Sequence, residues 1–319
     1  MYNKPLISII TPSFNQDRFL EETIKSVLNQ DYPNLEYIVI DGASTDDSIQ
    51  IIKRYANDID YWISEPDQGQ ADAINKGFNK ASGEFVAWLN SDDYYLPGTI
   101  SAAIDALQAC DNCGFVYGDV LAVDEDGTIF NLLKYGDWGL EGLMQFKIIG
   151  QPSVFMRNSV LKQAGFLEKR FNYMLDHNLW LKIARISEIK YIPETWSAAR
   201  YHEGAKNLSQ ASAFGEEAYK VVRLMEERED FKSTLEKNKN KIMGGAHWIN
   251  AWYLSEAGES LRSLTSYIRC FIKDPKRAIR DWKRIVVTFL SLLGIKKIQR
   301  IYTRYQYKRY NEFSKNLKK

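Results

Sequence analysis

Along the first ninety residues, short apolar runs alternate with stretches in which apolar positions recur every three or four residues. Leu6 to Ile10 reads as a buried strand. Leu20, Ile24, Val27 and Leu28 then repeat at helical spacing behind a cap expected at Asn15 or Asp17. Tyr37 to Ile40 predicts a second strand, and Ser44 followed by Asp47 has the form of a capping box opening a helix with Ile49, Ile52 and Ala56 on one face. Tyr61 to Ser64 is a shorter strand, Ala71, Ile74 and Phe78 mark a third helix, and Phe85 to Leu89 a fourth strand.

This alternation predicts an α/β fold with a mostly parallel sheet covered by helices on both faces, and such sheets bind ligands beyond the carboxyl ends of their strands. Polar clusters fall at those ends: Thr11–Asn15, Asp41–Asp46, Glu65–Gln70 and Asn90–Asp93. Beyond Pro97 the pattern is less regular. It predicts a helix to about Cys110, strands near 115–117 and 121–123, a turn at Asp124–Gly127, a strand at Val154–Met156, and a helix from Tyr173 to Ile186. From about Ser212 the chain reads as helical, which divides it into residues 1–210 and a helical, basic region, 211–319.

The 319 residues, 45% hydrophobic and 26% charged, suffice for one large domain with an appendage or for two ordinary ones. The opening MYNKPLISII lacks the features of a secretory signal, and no apolar run reaches the roughly 18 residues of a membrane-spanning helix, so a cytoplasmic location is expected. Cys110, Cys113 and Cys270 are too few for a disulfide framework, which agrees with a reducing compartment. Cys110-x-x-Cys113 has the spacing of a metal or redox pair but lacks a second pair to complete a zinc site. The net charge of +1 hides an asymmetry: 17 of the 42 Lys and Arg residues lie between Leu261 and Lys319, against 3 of the 41 Asp and Glu.

Asp92 and Asp93, placed after a hydrophobic strand, suit Mg²⁺ or Mn²⁺, because hard cations take carboxylate oxygens and bridge a diphosphate; the alternative is a cap for the helix beginning near Pro97. Asp41 ends a strand as the acidic residue of dinucleotide folds does, or is a turn residue in an Asp-Gly pair. No G-x-x-x-x-G-K-[ST] loop and no G-x-G-x-x-G after the first strand is present, which leaves phosphate binding to metal and side chains.

Taken in order, Ser8–Asn15, Val39–Asp46, Glu65–Gly69 with Asp72–Gly77, and Leu89–Asp93 resemble glycosyltransferase family 2 and its GT-A fold over roughly residues 5–210. The resemblance implies a hexosyltransferase-type glycosyltransferase that is inverting and metal-dependent, using Mn²⁺ or Mg²⁺. It implies a nucleotide-sugar donor, with UDP favoured over dTDP and GDP, and a saccharide or lipid-linked saccharide acceptor in surface polysaccharide synthesis. By the same resemblance Thr11 and Pro12 line the nucleobase pocket, Asp41 hydrogen-bonds the base, and Asp67 and Asp72 lie in the segment closing over ribose and donor sugar. Asn90-Ser91-Asp92 stands where the family has its Asp-x-Asp motif, with Asp92 as the direct ligand and an amide at Asn90 in place of the first carboxylate. Asp176, in Leu175–Trp180, corresponds to the catalytic base, with Leu175 where the family has Glu. Arg200–Gly204 resembles the Arg-x-His-x-Gly stretch in which His202 reaches the metal or diphosphate, and Gln151–Ser153 resembles an acceptor-side loop.

In the tail, Trp282, Ile285, Val286, Phe289 and Leu293 share a helical face surrounded by Lys283, Arg284, Lys296, Lys297 and Arg300. This pattern suits peripheral contact with an anionic membrane, and equally an ordinary helix packed on the body. Ala246–Pro275 vaguely resembles a single tetratricopeptide-like helix pair. Two rivals remain: a nucleotide-sugar-binding scaffold without turnover, motivated by Asn90 and Leu175, and nucleic-acid binding through a tail that interleaves Tyr302, Tyr305, Tyr307 and Tyr310 with basic residues, although no nucleic-acid module is recognised.

Overall fold

The structure, a computed structural model, describes residues 4–202, 204 and 210–293. Two units divide the chain. The first holds residues 1–122, 132–139 and 149–200; the second holds 123–131, 140–148 and 201–319.

The first unit opens β1 (Ile7–Ser13), α1 (Asp17–Leu28), β2 (Leu35–Asp41), α2 (Ser48–Arg54), β3 (Tyr61–Ser64), α3 (Gln70–Lys80) and β4 (Phe85–Trp88). β2 and β4 flank β1 and β3 flanks β2, all parallel, with Ser13 opposite Asp41 and Asp41 opposite Ser64. β1 and β4 are buried along their whole length and β2 from Tyr37 onward, because both faces of the sheet are covered there, while β3 is half-buried. On one face α1 buries Leu20, Ile24 and Val27 in a cluster with Ile7, Ile9 and Val39. α3 approaches β1 at Gly77, where a Cβ would stand 2.4 Å from Ile10 Cγ2, so the absence of a side chain sets that spacing.

The short β5 (Tyr94–Tyr95) precedes α4 (Thr99–Gln108), β6 (Cys113–Val123) and β7 (Ile129–Leu133), and later come β8 (Val154–Arg157), α6 (Asn158–Ala164), α7 (Leu175–Ala184) and β9 (Glu188–Arg200). The sheet order is β3-β2-β1-β4-β8-β6-β9-β5, with β7 paired to β6 off this path. β8 runs antiparallel between β4 and β6, so the sheet is mixed.

Several local expectations are corrected. The two strands expected near 115–117 and 121–123 are one, β6. Gly118 is no break: a Cβ there would meet Glu194 O and the Trp196 ring at 2.7 Å, so glycine permits close approach by β9. No capping box forms at Ser44, because its Oγ donates to Asp41 at 2.5 Å and accepts from Asn15 N, and α2 starts only at Ser48. Gln16, not Asn15 or Asp17, is the cap position of α1. Cys110 and Cys113 are joined to each other as a disulfide across the α4–β6 turn, rather than standing as two thiols.

The second unit contains α5 (Gly139–Met144) from Leu140 onward, then α8 (Ala211–Glu227), α9 (Glu229–Glu256), α10 (Ser260–Lys273), α11 (Pro275–Arg280) and α12 (Trp282–Leu292). α9 is the spine, and glycines bring neighbours onto it. Added Cβ atoms would meet Asn250 at Gly215, Asp274 at Gly244 and the Gln145 carbonyl at Gly245, between 2.1 and 2.6 Å. Inside, His247 pairs with the Tyr219 hydroxyl at 2.8 Å, and burial holds its imidazole below the usual histidine range. The helix pair α9–α10 accounts for the resemblance at 246–275. Among the described residues no helix is long and apolar enough to cross a membrane. Lys296, Lys297, Arg300, Tyr302, Tyr305, Tyr307 and Tyr310 lie outside the described residues.

Candidate functional site

The parallel strands β1 to β4 deliver their four polar loops to one edge of the sheet. After β1, Asn15 takes a left-handed conformation (φ 52°), which an amide side chain tolerates better than most. Its Oδ1 accepts from Thr45 N at 2.8 Å while its own N–H donates to Ser44 Oγ. Gln16 N and Asp17 N reach Ser48 Oγ and Asp46, so the first two loops are laced together. Beneath them Asp41 is fully buried. Its carboxylate accepts from Ser44 N at 2.9 Å, from Ser44 Oγ, and from Ser64 Oγ at 2.7 Å. Asp41 therefore organises three strand ends from below. Thr11 and Pro12 are buried as well, with Thr11 Oγ1 accepting from the Tyr37 hydroxyl at 3.1 Å.

What this edge exposes is Phe14. Its ring is 60% exposed, and in the first unit it is the single large hydrophobic so exposed among the described residues. A Cβ on Gly42 would lie 3.3 Å from the Phe14 ring and 2.4 Å from Asp67 Oδ2, so Phe14, the Gly42 backbone and the Asp67 carboxylate meet around one point. The other oxygen of Asp67 accepts from Gly69 N at 2.7 Å, and Gly69 supplies the φ of 102° that turns the chain into α3. Asp72, one turn into α3, accepts from Gln68 N and pairs with Lys169 at 2.6 Å. The Lys169 ammonium and the backbone hydrogen bond hold its carboxyl below the ordinary range.

After β4, Asn90 joins a chain of amides. It accepts from Gln70 Nε2 at 3.0 Å and donates to Gln151 Oε1 at 3.0 Å, and Gln151 in turn donates to the Trp88 carbonyl at 2.7 Å. Ser91 and Asp93 are buried, and Asp92 is half-buried. Asp93 accepts from Arg200 N at 3.0 Å. Burial, and then the Asp92 carboxylate beside it, push the Asp93 carboxyl well above the ordinary range. Arg200 lies against the rings of Phe19 and Tyr94, pairs with Glu22, and donates to the Asp92 carbonyl. Its charge braces the Asp92–Asp93 turn.

Asp176 occupies the first turn of α7 and is half-buried, with Oδ1 accepting from His177 N at 2.7 Å. α7 is fixed to β4 by stacking of Trp180 on Trp88, two residues ahead of Asn90, with centroids 5.2 Å apart. The loop before α7 is fixed to α3 by Asn75, which exchanges two hydrogen bonds with the Leu167 backbone at 2.9 and 3.0 Å. Gln151, Pro152 and Ser153 form a buried 3₁₀ turn directed inward, with Ser153 Oγ on the Gly118 carbonyl. Thr11, Pro12, Asp41, Asp67, Asp72, Asn90, Ser91, Asp92 and Asp176 thus all belong to the first unit, while His202 belongs to the second. Sequence reasoning missed Phe14; an aromatic following a buried strand and followed at once by Asn-Gln-Asp was the available signal.

The donor set fits a hard divalent cation held mainly by its substrate. Among the described residues the one cluster of three metal-type side chains is Cys110, Cys113 and Glu188, away from this edge and with its two sulfurs closed as a disulfide. Asp92 supplies a single half-exposed carboxylate, which suits Mg²⁺-like binding through one or two carboxylates plus substrate phosphates.

The model for glycosyl transferase family 2 matches residues 8–160. A Bacillus subtilis (strain 168) glycosyltransferase whose name places it in teichuronic acid biosynthesis is 36% identical, over 63% of this chain and 96% of its own. A Campylobacter jejuni protein named GalNAc(5)-diNAcBac-PP-undecaprenol beta-1,3-glucosyltransferase is 33% identical, over 56% of this chain and 60% of its own. The chain spans 65% of the length of an uncharacterized glycosyltransferase of Rickettsia typhi and 36% of one of Rickettsia conorii. In fold it is similar to the mannosyltransferase PcManGT of Pyrobaculum calidifontis, solved with GDP-Man and Mn²⁺ (TM-score 0.61, 18% identity, covering 96% of this chain and 85% of that one). It is also similar to S. aureus TarS solved with UDP-GlcNAc (TM-score 0.60, 17% identity, covering 91% and 92%).

Proposed function

Because the chain belongs to glycosyl transferase family 2 and has the GT-A fold, we propose that it transfers a sugar from a nucleotide-sugar, a UDP-sugar first, to a hydroxyl acceptor with inversion at the anomeric carbon. The observation that carries this reading is the meeting of Phe14, Gly42 and Asp67 on the edge that also bears Asp92. An exposed ring beside a bare backbone suits a stacked base with a ribose against it, and a carboxylate farther along the edge suits a metal diphosphate. Asp41, buried with its oxygens occupied by Ser44 and Ser64, acts in this reading by shaping the loop under the base.

Mn²⁺ or Mg²⁺ held by Asp92 would neutralise the departing diphosphate. Asp176 takes the proton of the acceptor hydroxyl as that oxygen bonds to the sugar C1. The bond from C1 to the phosphate oxygen breaks on the opposite face, and its electron pair leaves with the diphosphate. Asn90 holds the turn through Gln70 and Gln151. Thr11, Pro12 and Ser91 support the edge from within, Asp72 orients the 66–69 loop, and His202 is proposed to act on the diphosphate. The relatives named for teichuronic acid and for an undecaprenol-linked saccharide support a saccharide or lipid-linked acceptor in surface polysaccharide synthesis; this reading has the acceptor met at the cytoplasmic face of a membrane.

Calorimetric titration with UDP, dTDP and GDP, each with and without Mn²⁺, tests the donor half of the proposal. Metal-dependent binding of one nucleotide, sharply weakened in Asp92→Ala, is expected. Absence of binding by all three would overturn it, whereas binding without transfer to any acceptor would favour the scaffold.

A further inference from the structure

α10 is built inside out. Its buried positions are Ser263, Ser266, Tyr267 and Cys270, and three of these are hydrogen-bonded inward: Ser263 Oγ donates to the Ala251 carbonyl, Ser266 Oγ accepts from Asn250, and the Tyr267 hydroxyl donates to Asp281. Its exposed apolar positions are Leu261 (66%), Ile268, Phe271 and Ile272 (70%). α12 repeats the arrangement. Thr288 is buried against Ser255, while Trp282, Val286, Phe289 (50%) and Leu292 face out, with Leu293 following. Apart from Phe14, every exposed large hydrophobic among the described residues lies between Leu261 and Leu293, on these helices or on α11 between them. A helix that buries serines and exposes isoleucines is written for an apolar phase outside the unit.

The charges identify that phase. Between residues 261 and 293 the exposed charged side chains are Arg262, Arg269, Lys273, Lys276, Arg280 and Lys283, with no exposed Asp or Glu. The two acids of the segment are used internally: Asp274 caps α11 through Arg277 N, and Asp281 accepts from Trp248 Nε1 and the Tyr267 hydroxyl. A second copy brought up by a twofold axis would set these cations against themselves. Nucleic acid would satisfy the cations and leave the apolar side chains uncovered. We propose that the outward faces of α10 and α12 dock on an anionic lipid surface, the apolar side chains entering the acyl boundary and the basic ones meeting the headgroups. This surface includes α10, outside the tail helix whose periodicity is amphipathic in the sequence, and lipid docking by it does not depend on sugar transfer.

The test uses the full chain and vesicles of phosphatidylcholine with and without phosphatidylglycerol, read by flotation. Binding to the anionic vesicles, weaker at high salt and reduced at least about tenfold in Ile268→Asp combined with Phe289→Asp, is expected. Both positions are exposed, so an unchanged melting temperature and unchanged nucleotide binding would accompany that loss. Equal binding by the variant and the parent would overturn the assignment. So would failure to bind either vesicle, a dimer that the same substitutions dissociate, or salt-sensitive RNA binding with no vesicle binding.

Discussion

At the scale of single residues, Phe14 and Asp41 exchange the prominence their types suggest, the aromatic standing in solvent and the carboxylate fully buried. Phe14→Ala is expected to leave the melting temperature unchanged and to weaken nucleotide binding by about 1–3 kcal/mol, the usual worth of a base on an aromatic platform, as read by calorimetry. Asp176→Asn keeps shape and the contact with His177 N but removes the proton acceptor. A fall in transfer rate of roughly 10²–10⁴-fold with unaltered nucleotide affinity is expected. Asp93 sets a pH dependence. Its carboxyl is raised in the folded state, chiefly by burial, so the folded chain holds a proton the unfolded one releases, and stability falls as pH rises above the ordinary carboxylate range. Melting temperatures of Asp93→Asn should lose that downward slope. The sequence located these residues because strand ends are where such folds keep polar side chains. It was silent on which would be buried, since Asp41 and Asp67 differ by what Ser44, Ser64 and Gly42 do around them, not by their own type.

At the scale of elements, periodicity was sufficient for β1 to β4 and the helices between them, where short mostly apolar strands alternate with helices of regular spacing. Beyond α4 it finds β8, α7 and the C-terminal helices but not β9 or the continuity of β6. β9 alternates exposed and buried positions irregularly, and β6 was split at Gly118-Asp119, although Gly118 admits Trp196 and Asp119 accepts from the Tyr191 hydroxyl and from Tyr135 N. Those partners are remote in the chain, so no local window contains the reason. Asn75 shows how such links position chemistry: it is the clamp between α3 and the loop leading to Asp176. Asn75→Ala orphans the Leu167 N–H and carbonyl at a cost of about 1–3 kcal/mol, and is expected to lower kcat more than it raises the donor KM.

At the scale of the whole molecule, the chain crosses between its two units repeatedly: residues 123–131 and 140–148 leave the first for the second long before the C-terminal helices begin. Within the second unit these segments have specific partners. Tyr201 N donates to the Val123 carbonyl at 2.8 Å, the Phe130 and Tyr201 rings meet edge to face, and Gly245 admits the Gln145 carbonyl. A chain cut after Arg200 would keep both segments and lose Tyr201 and Gly245, their partners within the second unit. It is expected to be insoluble or rapidly cleaved near 125–147 in limited proteolysis, whereas the full chain resists. The helices are thus no detachable module. Recombination at a single junction could not exchange them between relatives intact, because the pieces of chain that complete them are encoded in the middle of the gene, inside the half they would leave behind.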